Sequence, residues 1–132
     1  MGQQQLLLIV LSVIIVGIAV VVGINMFNSQ AASSNLEAVT NDLLNLAARA
    51  QQYYVKPTGM GGGGNSFSGI AITDLTAKTT NENGTYSIST AGTTDLVGIQ
   101  GIGTMDGDDD GTNCTVVVTV LADSVHTSVS NR

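Results

Sequence analysis

The chain has 132 residues, a net charge of −6, a single cysteine and no tryptophan, and glycine alone contributes 16 residues. That length holds one domain beyond any membrane segment, and with two phenylalanines and three tyrosines as its only aromatics it buries a small core, at a size where oligomerisation commonly adds stability. Four basic residues against ten acidic ones, the first basic one at Arg49, exclude the basic patch that nucleic acid or an anionic lipid surface requires, and one cysteine, Cys114, excludes a disulfide within the chain.

The first stretch reads MGQQQLLLIVLSVIIVGIAVVVGINMF. Residues 6–24 are nineteen positions without a charge, roughly 28 Å as a helix and close to the hydrocarbon thickness of a bilayer. Its interruptions, Ser12, Gly17 and Gly23, are tolerated in spanning helices. A cleaved secretory signal joins a basic region to a shorter apolar stretch. No lysine or arginine precedes this one, although Ser29-Gln30-Ala31 fits a small-x-small cleavage site. An ordinary signal anchor also carries flanking basic residues that set its orientation, and these are missing too.

The helical period continues past the apolar stretch. Phe27, Leu36, Val39, Leu43, Leu46, Ala47, Ala50 and Tyr54 recur at helical spacing, the mark of an amphipathic helix. Asn35, Asp42, Asn45, Arg49 and Gln52 form the expected polar face, and Pro57 is the first proline. The pattern predicts one helix over residues 3–55, about 80 Å long, apolar all round in 3–26 and amphipathic in 27–55. A small domain cannot cover such a rod, so its first half requires other partners.

This arrangement resembles the type IV pilins and their pseudopilin relatives. In that family a glycine precedes the site cut by a dedicated prepilin peptidase, and a hydrophobic half-helix leads into an amphipathic half packed on an antiparallel sheet. Gly2 before Gln3-Gln4-Gln5-Leu6 matches such a site. The resemblance implies Gln3 as the mature, methylated first residue and residues 1–2 as a leader remnant or trimmed leader. It implies a filament core built from Leu6, Leu7, Leu8, Ile9, Val10, Leu11, Val13, Ile14, Ile15, Val16, Gly17, Ile18, Val20, Val21, Val22, Gly23, Ile24 and Phe27. Gly17 and Gly23 match the zone where the family's helix loosens on assembly. The chain departs from the bacterial pattern in having Leu7 where a glutamate is usual, no acidic residue before Glu37, and only Met1 before Gly2.

The expected fold class is α+β. The resemblance implies a major structural subunit of an extracellular pilus-like filament, self-assembling through its hydrophobic helix and serving attachment or motility. Its implied partners are identical subunits, prepilin peptidase, and, before assembly, the inner membrane and the pilus assembly machinery; nucleic acid is not among them. Gln3, Gln4 and Gln5 are then either neutral heads that hydrogen-bond between neighbouring helices or a plain interfacial flank. The alternatives are a secretion-system pseudopilin or minor pilin, a monomeric membrane-anchored binding module, and a calcium-dependent adhesin domain.

Beyond the helix, KPTGMGGGGNSFSG is expected as a glycine-rich loop over 56–68, because Pro57 ends the helix and no Gly-Lys-Ser/Thr follows to make a phosphate cradle. Residues 69–132 are expected as a small antiparallel β domain. GIAITDL reads as a turn or short strand. NENGTYSISTAG alternates Tyr86, Ile88 and Thr90 with serines, and TTDLVGIQGIGTM reads as a second strand weakened by Gly98, Gly101 and Gly103. NCTVVVTVLADSVHTSV is the strongest strand signal, with Cys114, Val116, Val118, Val120 and Ala122 on one face. The result is a three- or four-stranded meander, apolar on one face and rich in Ser and Thr on the other.

DGDDDG is the sharpest remaining motif. Asp106, Asp108, Asp110 and Gly111 fit the start of a calcium loop, where alternate oxygens converge, but Val117 stands where the bidentate glutamate belongs. The competing reading is a solvated acidic turn. Asn83-Gly84-Thr85 and Asn113-Cys114-Thr115 match the glycosylation acceptor pattern. Cys114 is expected as a small buried residue, His126 as a surface histidine, and Tyr53 and Tyr54 as core or subunit contacts. No nucleophile–base set and no paired-carboxylate pocket is present, so neither an enzyme nor a bound cofactor is expected, calcium aside.

Overall fold

The structure, a computed structural model, describes residues 2–132; Met1, half of the expected leader remnant, lies outside them. Helix α1 runs Gly2–Val55, in agreement with the predicted span. A single 3-10 turn at Thr58–Met60 and a short helix α2, Ile72–Leu75, follow. Four strands then complete the chain: β1 Gly84–Thr90, β2 Leu96–Gly103, β3 Thr115–Leu121 and β4 Val125–Asn131. The class is α+β, as expected, and the chain divides into two compact units, Met1–Ala31 and Ala32–Arg132.

The first unit is helix alone. Apart from the half-covered Gly23, every described residue before Ala32 is exposed. Phe27, counted among the inward positions by periodicity, is 79% exposed.

In the second unit the sheet is an antiparallel meander in the order β1-β2-β3-β4. Its register places Tyr86 opposite Gly101, Gly101 opposite Val116, and Val116 opposite Val129. Alternation then puts Val97, Ile99, Val116, Val118 and Val120 on one face. They meet Val39, Leu43, Leu46, Ala47 and Ala50 of α1 in one apolar core. Gly101 is what lets the helix come so close: a Cβ there would stand 2.7 Å from Val39 Cγ1 and 3.0 Å from Tyr86 Cε1. Of the glycines expected to weaken β2, Gly101 and Gly103 thus lie under the helix, whereas a Cβ at Gly98 would meet Thr90 and Ser89 of β1.

The glycine-rich loop has a structural task. The last carbonyls of a helix lack intrahelical partners, and here Gly63 N donates to Tyr53 O, Asn65 N to Tyr54 O, and Gly64 N to Lys56 O. The loop then inserts Phe67, which is fully buried and lies against Tyr54 with ring centroids 4.8 Å apart.

Three local expectations differ from the structure. GIAITDL forms the helical turn α2, where Asp74 accepts a hydrogen bond from Ala71 N across the turn. The last apolar run is two strands, because Ala122 and Asp123 lie in an exposed hairpin between β3 and β4. Ala122 therefore faces solvent instead of extending the buried row of Cys114, Val116, Val118 and Val120.

Candidate functional sites

The largest exposed apolar surface lies on the first unit. Within 6–24, Leu, Ile and Val side chains are between 51% exposed at Val22 and 68% at Leu7. By length and composition this part of α1 is capable of crossing a membrane. Ser12, the one hydroxyl in the stretch, donates back to Leu8 O at 2.7 Å, as a hydroxyl does where no other partner exists. Gly17 and Gly23 have no neighbouring atom that a Cβ would meet. Gly2 and Gln3 lie in the first turn of the same helix, both exposed.

Sequence patterning placed Asn35, Asp42 and Arg49 on a solvent face. The structure turns all three toward the rest of the second unit. Spaced by sevens, they share one side of the helix; Asn35 and Asp42 both reach Asn83, and Arg49 reaches the end of α2. Asn35 Nδ2 donates to Asn83 O at 2.8 Å, while its Oδ1 accepts from Thr104 N at 2.9 Å and from the Cys114 thiol at 3.2 Å. Asp42 Oδ2 accepts from Tyr86 Oη at 2.5 Å, Asn83 Nδ2 at 2.9 Å and Asn81 Nδ2 at 3.0 Å. Arg49 donates to Leu75 O at 2.7 Å. The available signal was the interleaving of 35, 42 and 49 with Val39 and Leu46, which sets them along the edge of the buried stripe.

Charge responds to this packing. Burial alone would raise the Asp42 carboxyl, yet the hydrogen bonds from Asn83, Tyr86 and Asn81 hold it below the ordinary carboxylate value. The Tyr86 phenol is raised well above its ordinary value, first by burial and then by its hydrogen bond to the Asp42 carboxylate.

Asp106, Asp108 and Asp110 bring carboxylate oxygens within 4.8 Å of one another in the β2–β3 connection. The turn explains much of that convergence: Asp106 accepts from Gly111 N and Asp108 N, and Asp110 from Thr112 N and Asn131 Nδ2. Desolvation and the neighbouring Asp110 charge push Asp108 up, whereas backbone donors outweigh desolvation and keep Asp106 low. Val117 lies within β3, paired with Gln100 and Ser128. The loop therefore gathers three convergent carboxylates toward the six to eight or so oxygens a calcium ion takes.

The acceptor asparagines both point their amides inward, Asn83 to Asp42 and Asn113 Nδ2 to Gly103 O at 3.1 Å. Cys114 is buried, Tyr53 and Tyr54 pack partly covered against the core, and His126 is exposed on β4. Neither protein-family models, curated proteins nor solved structures give a match to this chain.

Proposed function

We propose that the chain is the major structural subunit of an extracellular type IV pilus-like filament, held together by its apolar helical segment. The observation that carries this reading is the exposure of Leu, Ile and Val side chains around the whole circumference of residues 6–24. At roughly 1.5 kcal/mol or more for each large apolar side chain, leaving this surface in water costs tens of kcal/mol. Lipid or other apolar helices must cover it.

Two features favour copies of itself as the final cover. The second unit has its own core and an antiparallel sheet whose outer rows are rich in Thr and Ser, which suits a solvent-facing coat. The short Gln3-Gln4-Gln5 head provides amides that bond between neighbouring helix ends without charge. Before assembly the same segment lies in the inner membrane. Transfer from lipid to a helix bundle gains little from hydrophobicity, so close packing and assembly machinery supply the direction.

The test is a charge placed in the segment. Ile15→Asp in the full chain is expected to leave the second unit folded by circular dichroism and to abolish pelletable polymer. Polymer formed at the normal yield by that variant overturns the reading.

A further inference from the structure

The chain has four cationic side chains, Arg49, Lys56, Lys78 and Arg132. Three of them gather around two neighbouring clefts. One, of about 150 Å³, is lined by Asp42, Asn45, Arg49, Lys78 and Tyr86 among others; the second, of about 480 Å³, by Arg49, Gln52, Lys56 and Asp74 among others. Arg49 stands on the wall of both. The carboxylates of these clefts are engaged locally, Asp42 with Tyr86 and the asparagines and Asp74 with Ala71 N. Cations thus outnumber carboxylates here by three to two in a chain that is acidic by six charges.

The densest negative charge sits elsewhere in the same unit. Asp106, Asp108, Asp109 and Asp110 lie in the β2–β3 connection, whose start is tied to Asn35 through Thr104 N and whose Gly107 approaches Ala32. Gly107 N also bonds Arg132 O, which brings the C-terminal residue beside the loop. From Asn35 to Arg49 the helix rises about 21 Å, and a further ten or so to Lys56. That separation exceeds the screening length of about 8 Å in physiological salt, so the two patches do not neutralise each other within one chain.

Resting on the filament reading, we propose that the cationic clefts at Arg49, Lys56 and Lys78 of one copy receive the acidic 106–110 loop of a second copy. Two different patches at opposite ends of one unit make a heterologous, head-to-tail contact, and such contacts run on into open helical polymers unless the rotation closes a ring. The apolar helices supply cohesion, and this contact fixes which neighbour a head meets.

The lysines make the contact directly readable, because Lys56 and Lys78 are the only two in the chain. Full-length protein labelled with ¹⁴N and ¹⁵N is mixed, reconstituted at high density in lipid vesicles and, separately, taken as sheared polymer. A zero-length carbodiimide then joins carboxylates to amines, and the peptides are read by mass spectrometry. Mixed-isotope links from Lys56 or Lys78 to the 106–110 loop, falling severalfold in high salt, are the expected result. Links in vesicles without any polymer uphold the contact and reject the filament; polymer without such links rejects the contact and keeps the filament. Absence of these links from both preparations overturns the proposal. In the polymer assay, Lys56→Glu with Lys78→Glu is expected to lower yield about tenfold, and adding Asp108→Lys with Asp109→Lys to the same chain to restore it. Unchanged yield in the first variant also overturns it.

Discussion

Tyr86 donates its phenolic proton to Oδ2 of Asp42 across the boundary between β1 and α1, at 2.5 Å. The same oxygen takes the amides of Asn81 and Asn83, so one carboxylate fastens the helix to the start of the sheet. Its ionised form is the one that fits.

Stability should therefore depend on pH from both sides. The folded Asp42 value lies below its ordinary one, so this contribution is complete above about pH 4 and fades as pH falls through the folded value. The folded Tyr86 value lies above its ordinary one, so its contribution is complete below about pH 10 and fades as pH climbs toward the folded value. Urea unfolding across pH, followed by tyrosine fluorescence, should give a plateau with both limbs. Tyr86→Phe should remove the alkaline limb and cost about 1.5–3 kcal/mol, the range for a bond to a charged acceptor.

Gly101 tests how tightly the helix closes on the sheet. Gly101→Ala presses a methyl against Val39 Cγ1 and Tyr86 Cε1, which overpacks a filled core and should cost about 1–3 kcal/mol. Val39→Ala alone opens a cavity and also destabilises. Combined, the two should cost less than their sum, and a double-mutant cycle measures the relief.

Asn35, one turn before Val39, fastens the helix to the end of β2. Asn35→Ala strips the partners from Thr104 N and Asn83 O together. The expected loss is about 1–3 kcal/mol, with the largest rise in amide hydrogen exchange at Thr104. Asn35→Asp keeps the acceptor and should preserve protection at Thr104.

The acidic loop brings three of its four carboxylates together, and backbone donors already occupy oxygens of two of them. A donor set this incomplete should bind calcium no tighter than about 10⁻⁴–10⁻³ M. Titration followed by the Asp108 side-chain resonance checks it, and saturation at micromolar calcium contradicts it. Without metal, Asp108 should protonate at higher pH than Asp106.

Periodicity made the long helix and its buried row at Val39, Leu43, Leu46 and Ala50 legible, because a stripe at helical spacing has few other interpretations. The strands over Tyr86–Ile88 and Val116–Val120 were legible for the same reason, at period two. Polar residues at the margin of a buried stripe were not. Asn35, Asp42 and Arg49 read as solvent-facing, since composition carries no information on which loop returns to meet them. Nor does a glycine run announce that its amides will cap a helix, as Gly63 and Gly64 do. The split between β3 and β4 was hidden because Ala122-Asp123-Ser124 lacks the Gly or Asn that usually marks a tight hairpin. Of the candidate sites, the apolar segment was visible in full, whereas the cationic clefts exist only once α2 and the 76–81 connection fold against α1.

The proposed filament requires that many copies of this chain shelter one another's apolar helices. Electron microscopy of material sheared from the cell surface, with mass spectrometry of the subunit's N-terminus, tests it most directly. The expected result is filaments whose main component begins at Gln3. Protein recovered solely as single lipid-bound molecules, or a mature chain that begins at Ala32, contradicts it.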